Sequence, residues 1–137
     1  MKVKTVSAVA PASAEEATEH FARKLAFETD CWDVHYSMTS QLDELVLLDV
    51  RSPELFDAGH VPGAVNLPHV RISDKALADY PEDQLFVVYC AGPHCNGADK
   101  AALRLARLGR PVKLMIGGVT GWLDEGFDLT QSEAAVG

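Results

Sequence analysis

The sequence predicts an α/β fold, a mostly parallel sheet covered by helices, and three observations point that way. Short apolar runs suited to buried strands recur at residues 45–50, 64–67, 85–89 and 112–116. Segments with helical spacing alternate with them. Helix-starting and helix-stopping residues separate one from the next: Ser13, Asp30, Pro53, Gly59, Pro81 and Gly109.

In chain order, the start Met1–Ala12 is short of leucine and is broken by Ser7 and Pro11, so it reads as a flexible tail over residues 1–12 rather than a signal peptide. Ser13 caps a first helix running to about Glu28, with Glu15, Glu16 and Glu19 near its positive end and Phe21, Ala22, Leu25 and Ala26 on one apolar face. Asp30 caps a second, Trp32 to Leu42. Together these form an N-terminal helical extension over 13–43, expected to pack across the core. The domain proper, 44–129, opens with the strand Leu45–Val50. It continues with the helix Pro53–Ala58, started by proline and stopped by Gly59. The strand Ala64–Leu67, the helix Asp74–Tyr80 ended by Pro81, and the strand Leu85–Tyr89 follow. The helix Ala98–Leu108 stops at Gly109, and the strand Val112–Ile116 leads to a last helix, Val119–Glu125. Residues 130–137 form a C-terminal tail.

At 137 residues the chain suits one domain, and 47% hydrophobic with 23% charged residues is ordinary for a globular protein. Twenty acidic against twelve basic residues give a net charge of −8, which argues against nucleic acid or an anionic membrane as partner. No apolar run has transmembrane length. Three cysteines, Cys31, Cys90 and Cys95, make no disulfide framework; reduced thiols and a cytoplasmic setting are expected.

The chemistry concentrates in Phe86-Val87-Val88-Tyr89-Cys90-Ala91-Gly92-Pro93-His94-Cys95-Asn96-Gly97-Ala98. A strand feeds a cysteine, a loop with Gly and Pro follows, and a helix begins. Loop N–H groups and a helix N-terminus can converge there on an anion, and the same field lowers a thiol's pKa and prepares a thiolate nucleophile. The alternative is a small buried residue at a strand end. In parallel sheets ligands gather at the carboxyl ends of strands, where both Cys90 and Arg51 lie.

Three motifs, in order, resemble those of the rhodanese family. Leu47-Leu48-Asp49-Val50-Arg51-Ser52-Pro53-Glu54 with Gly59-His60-Val61-Pro62-Gly63-Ala64-Val65-Asn66-Leu67-Pro68 resembles its first signature. Met115-Ile116-Gly117-Gly118-Val119-Thr120-Gly121-Trp122 resembles its closing motif, and Cys90 falls where the family carries its persulfide-forming cysteine. The resemblance spans roughly residues 44 to 127. It implies a rhodanese-like three-layer fold and a sulfurtransferase of the thiosulfate:cyanide class that needs no cofactor. The implied partners are a small-molecule sulfur donor and a cyanide, small-thiol or protein-thiol acceptor. The donor and its charge would meet Ala91, Gly92, His94, Cys95, Asn96 and Gly97, with Arg51 from the neighbouring strand end.

One departure stands out: Ala91 to Gly97 holds no Arg or Lys, where active members usually place one. Lys100, Arg51 or a protonated His94 are the candidate replacements. Arg51 has a structural alternative, pairing with a carboxylate. His60 reads as a loop tether, Trp122 as a core plug, Cys31 as inert. Asn96 occupies the position where a cysteine phosphatase needs Arg, which excludes that chemistry. Cys90, His94 and Cys95 lack a second ligand pair for a metal. A non-turnover sulfur carrier or binding module remains open. So does a Cys90/Cys95 redox protein: Cys95 is either a packing residue or a thiol that attacks Cys90 once that carries sulfur.

Overall fold

Five parallel strands in the order β1-β5-β4-β2-β3 form the middle of the molecule. The computed structural model describes residues 5–40 and 43–132. The elements are α1 (Ala14–Phe27), β1 (Glu28–Thr29), α2 (Cys31–Thr39), β2 (Val46–Asp49), α3 (Pro53–Ala58), β3 (Val65–Asn66), β4 (Phe86–Tyr89), α4 (Gly97–Arg107), β5 (Val112–Met115) and α5 (Gly118–Asp124). Ser13 and Asp30 cap α1 and α2 as expected, each accepting a backbone N–H three residues on, and Gly109 after α4 has φ +78. Leu42 and most of the expected C-terminal tail lie outside the described residues. Of the expected N-terminal tail, residues 6–8 form a short 3-10 turn that buries nothing.

The strands alternate between two cores with the period of two that a sheet imposes. Leu48, Val50, Phe86, Val88 and Cys90 face one side, against Ala98, Ala101 and Leu105 of α4. Leu47, Val87, Tyr89 and Met115 face the other, against Cys31 and Val34 of α2 and Trp122 of α5. The sheet therefore lies between two helical layers, and Cys90 and Tyr89, adjacent in sequence, belong to opposite faces.

Three expectations need correction. Residues 74–80 form consecutive turns rather than a helix: Ala78 N–H and Tyr80 N–H bond three residues back, to Lys75 O (3.3 Å) and Leu77 O (3.0 Å), and Pro81 disfavours helical backbone at Tyr80. The Arg110 guanidinium donates to Leu77 O (3.2 Å), Tyr80 O (3.2 Å) and Pro81 O (2.9 Å). The strand β1 was not foreseen; it pairs with β5 at the sheet edge, Glu28 opposite Leu114. The N-terminal pair does not pack as one unit. α2 buries Cys31 and Val34, whereas α1 buries no residue and leaves Phe21, Leu25 and Phe27 exposed.

A buried polar hub ties β2 to β4. Asp49, fully buried, receives Nε and Nη2 of Arg51 (Nη2–Oδ2 2.7 Å) and the hydroxyl of Tyr89 (2.7 Å). The Tyr89 hydroxyl in turn accepts from Val61 N–H (3.1 Å), and Arg51 Nη2 donates to Gly59 O (2.7 Å). Burial and the neighbouring carboxylate both push the Tyr89 phenol well above its ordinary range. His60 is the tether expected of it: Nδ1 meets Phe56 O at 2.7 Å and the ring stacks on Phe56. Tyr89→Phe strands the Val61 N–H and removes one of Asp49's partners. It should destabilise the fold by about 1–3 kcal/mol, read as a lower urea midpoint with unchanged slope; an unchanged midpoint would show that the hub does not depend on the phenol.

Candidate active site

Cys90 follows the last residue of β4, and the loop after it is hung from α5. Cys90 O accepts from Val119 N–H (3.1 Å), and Ala91 O accepts from both Thr120 N–H (3.0 Å) and Thr120 Oγ1 (3.1 Å). This approach requires Gly118. It has φ +57, and a Cβ there would stand 2.4 Å from Cys90 O and 2.8 Å from Gly92 N. The loop turns back through Cys95 N–H to Gly92 O (3.0 Å) and enters α4 at Gly97, whose N–H points at Cys95 Sγ (3.4 Å). A Cβ at Gly97 would lie 2.9 Å from Cys90 Sγ and 3.4 Å from Cys95 Sγ. The two sulfurs thus flank one point, and only glycine leaves them that space.

The thiols differ in burial and so in ionisation. Cys90 is 7% exposed. Burial and the hydrogen bond with Cys95 push it up to about 11, against the Ala91 and Gly97 N–H groups, which favour the thiolate. Cys95 is more open and is lowered, first by the hydrogen bond from Cys90 and then by Gly97 N–H. The expectation that the loop field lowers Cys90 therefore needs correcting: burial outweighs the amides at Cys90, and Cys95 is the thiol of the pair that is lowered. Cys31 lies elsewhere, its Sγ donating to Ile116 O (3.5 Å) and Gly118 O (3.7 Å), and burial pushes it up to about 11. Trp122 is buried, with Nε1 donating to Asp128 O (2.9 Å).

A cavity of about 530 Å³ opens over the sulfurs. Of the residues singled out from sequence, Cys90, Gly92 and Cys95 line it and Gly97 touches both thiols. Ala91, His94 and Asn96 belong to the loop but not to its lining, and exposed His94 folds over Gly92. Arg51 is held by Asp49, on the sheet face opposite to Cys90. Lys100 lines a different cavity, with His69, Arg104 and Arg107, although its charge helps to lower Cys95. Sequence reasoning missed Lys24 and Glu28. They line the Cys90 cavity and pair with each other at 3.3 Å. Their spacing of four on a helix signals a pair, but nothing local signals a site.

Comparison with known proteins bears on the fold and the family. A family model described as Rhodanese-like domain matches residues 33–125. The HTH-type transcriptional regulator Rv0324 of Mycobacterium tuberculosis is 42% identical over 80 residues, 58% of this chain and 34% of the regulator. The probable adenylyltransferase/sulfurtransferase MoeZ of the same species is 35% identical over 80 residues, 58% of this chain and 20% of MoeZ. The chain thus spans about a third or less of those two relatives. The crystal structure of protein BH2092 from Bacillus halodurans superposes with a TM-score of 0.84 at 33% identity, covering 87% of each chain. That of a Pseudomonas aeruginosa thiosulfate sulfurtransferase gives a TM-score of 0.63 at 19% identity, covering 86% of this chain and 22% of that one, a likeness of fold.

Alkylation with iodoacetamide, mapped by peptide across a pH series, tests this ordering of the two thiols. Cys95 should react first as pH rises and Cys90 with a midpoint near 11. In Cys95→Ala the Cys90 midpoint should fall, since both the hydrogen bond and the charge of Cys95 raise it. Equal midpoints for both thiols in the wild type would contradict this.

Proposed function

We propose that this chain, which belongs to the rhodanese-like family, moves a sulfane sulfur from a small-molecule donor to a thiophilic acceptor through a persulfide on Cys90. The observation that carries the reading is the placement of Cys90: at the end of a central parallel strand, against the first turn of α4, on the floor of a cavity large enough for a small donor.

As the donor enters, Cys90 passes its proton to the sulfur of Cys95, the more readily ionised thiol of the pair, and becomes the thiolate. Its Sγ attacks the outer sulfur of the donor, the donor's sulfur–sulfur bond breaks, and the remainder leaves as its anion. The Ala91 and Gly97 N–H groups, which already favour charge on Cys90, stabilise the negative charge that gathers on the sulfurs. A second thiophile, whether cyanide, a small thiol or a protein thiol, then attacks the outer sulfur and frees Cys90. Three unpaired cysteines suit a reducing, cytoplasmic setting.

A second reading is favoured by the two sulfurs flanking Gly97. Cys95 attacks Sγ of the Cys90 persulfide, releasing hydrosulfide and closing a Cys90–Cys95 disulfide. The sulfane sulfur is reduced as the two thiols are oxidised, and a low-molecular-weight thiol must then restore the pair.

Two experiments separate these readings. Cys90→Ser should abolish thiocyanate formation from thiosulfate and cyanide, and loading of one sulfur from a small organic persulfide, while the melting temperature changes little; full activity in this variant would falsify the proposal. Gly97→Ala, which drives a methyl group into the sulfurs, should cut transfer by about a hundredfold in a folded protein. For the second reading, Cys95→Ala should lengthen the life of the Cys90 persulfide and abolish the mapped disulfide. An unchanged lifetime leaves Cys95 as a base or packing residue only.

A further inference from the structure

The cavity over Cys90 has a wall built by residues that precede the span matched by the family model. The family match begins at residue 33, whereas Lys24 lies in the last turn of α1 and Glu28 opens β1. Strand register puts Glu28 there: it pairs with Leu114, which pairs with Val88, on the face that carries Cys90 two residues later. The charged side chains lining the cavity are Lys24, Glu28 and Asp99, one cation against two carboxylates. Glu28 Oε2 is buried and accepts no hydrogen bond among the described residues; Lys24 Nζ at 3.3 Å is its ion partner.

This set of charges suits one kind of donor. A dianion such as thiosulfate meets a single cation already neutralised by Glu28, with Asp99 close by. A zwitterion bearing an ammonium and a carboxylate gives each wall group an opposite charge. The ammonium supplies the hydrogen bond that Glu28 Oε2 lacks, and the carboxylate takes Lys24. Opening the existing pair costs little, since both side chains keep solvent contact, 53% for Lys24 and 34% for Glu28. The remaining lining near the sulfurs is apolar, Pro93, Ala98 and Leu114 among it, and suits a short hydrocarbon stem.

We propose that Lys24 and Glu28 make this site selective for a small amino-acid persulfide, with the α-ammonium on Glu28 and the α-carboxylate on Lys24. The assignment rests on the sulfurtransferase reading above and names its donor class. The transfer needs no outside oxidant: a bond forms between Cys90 Sγ and the donor's outer sulfur, the donor's sulfur–sulfur bond breaks, and the donor departs as the amino-acid thiolate.

The test compares three donors on wild type, Glu28→Gln and Lys24→Met: cysteine persulfide, 3-mercaptopropionate persulfide, which lacks only the ammonium, and thiosulfate. Loading of one sulfur on Cys90 is read by intact mass, and KM and kcat by steady-state transfer. Wild type should prefer cysteine persulfide. Glu28→Gln should raise its KM about three- to fivefold, leave or lower the KM of the other two, and spare kcat throughout. Lys24→Met should raise KM for both carboxylate-bearing persulfides. If wild type loads Cys90 but Glu28→Gln moves the two persulfides equally, the selectivity assignment is wrong while the sulfurtransferase reading stands. If no donor loads Cys90 in wild type, both fall. Thermal melting of each variant separates a lost fold from a lost contact.

Discussion

The buried carboxylate of Asp49 is the constraint on which the arrangement depends. A charge with no solvent is tolerable only with partners, and here they come from three directions: the Arg51 guanidinium, the Tyr89 hydroxyl and, one step further, the backbone of Gly59 and Val61. The hub therefore fixes the β2–α3–β3 connection to the central strand β4. Tyr89 immediately precedes Cys90, so what holds the phenol on one face also aims the thiol at the other. Asn66 reinforces the same point by donating to Asp49 O and Arg51 O (both 3.0 Å). An arginine at a strand end invites a substrate-binding reading; here Nε and Nη2 are engaged inside the scaffold, on Asp49 and Gly59 O.

At the loop after β4 the decisive contact is backbone on backbone. α5 begins so close to the loop that a single methyl group at Gly118 would collide with Cys90 O. The return is that the carbonyls of Cys90 and Ala91 turn toward α5 and find donors there, which leaves the amides of Ala91 and Gly97 for the sulfurs. Two opposing effects then meet at Cys90. Amide dipoles favour the thiolate, but burial and a second thiol oppose it more strongly, and Cys95 is the more readily ionised of the two. A thiol kept neutral and covered until its substrate arrives is less exposed to adventitious oxidation than an open thiolate.

Much of this was legible in the residues, and the failures have identifiable causes. The runs at 45–50, 85–89 and 112–116 became β2, β4 and β5 because buried parallel strands need continuous apolar sequence. Ser13, Asp30 and Gly109 marked helix ends through local chemistry that survives any context. The segment 74–80 has helical composition, yet it is short, bounded by Pro81, and closes in turns three residues back, with an arginine about thirty residues away bonded at its end. β1 is two residues long, too short to show a period. Cys90 was visible as the candidate nucleophile because strand, cysteine, loop and helix form one contiguous pattern. Its ionisation was not, because desolvation and the proximity of Cys95 exist only after the loop has folded. The placement of Arg51 could have been read: counting alternate residues along β2 puts position 51 with 47 and 49, away from the face that Cys90 shares with Phe86 and Val88.

The site thus divides along the chain according to what each part must do. Sulfur chemistry needs a nucleophile, nearby amides and a place for one proton, and residues 89–97 with α5 provide all three within the span that matches the family. Choosing among donors needs charge at the mouth of the cavity, and the loop carries no arginine or lysine to supply it. The charge comes instead from α1 and β1, before that span, delivered by a two-residue edge strand whose register with β5 decides which face Glu28 occupies. A shift of that register by one residue would carry Glu28 to the far side of the sheet and leave Cys90 unchanged. Reactivity and donor preference are therefore physically separable here: the first is locked into the core, the second rests on an edge where substitution costs the fold little.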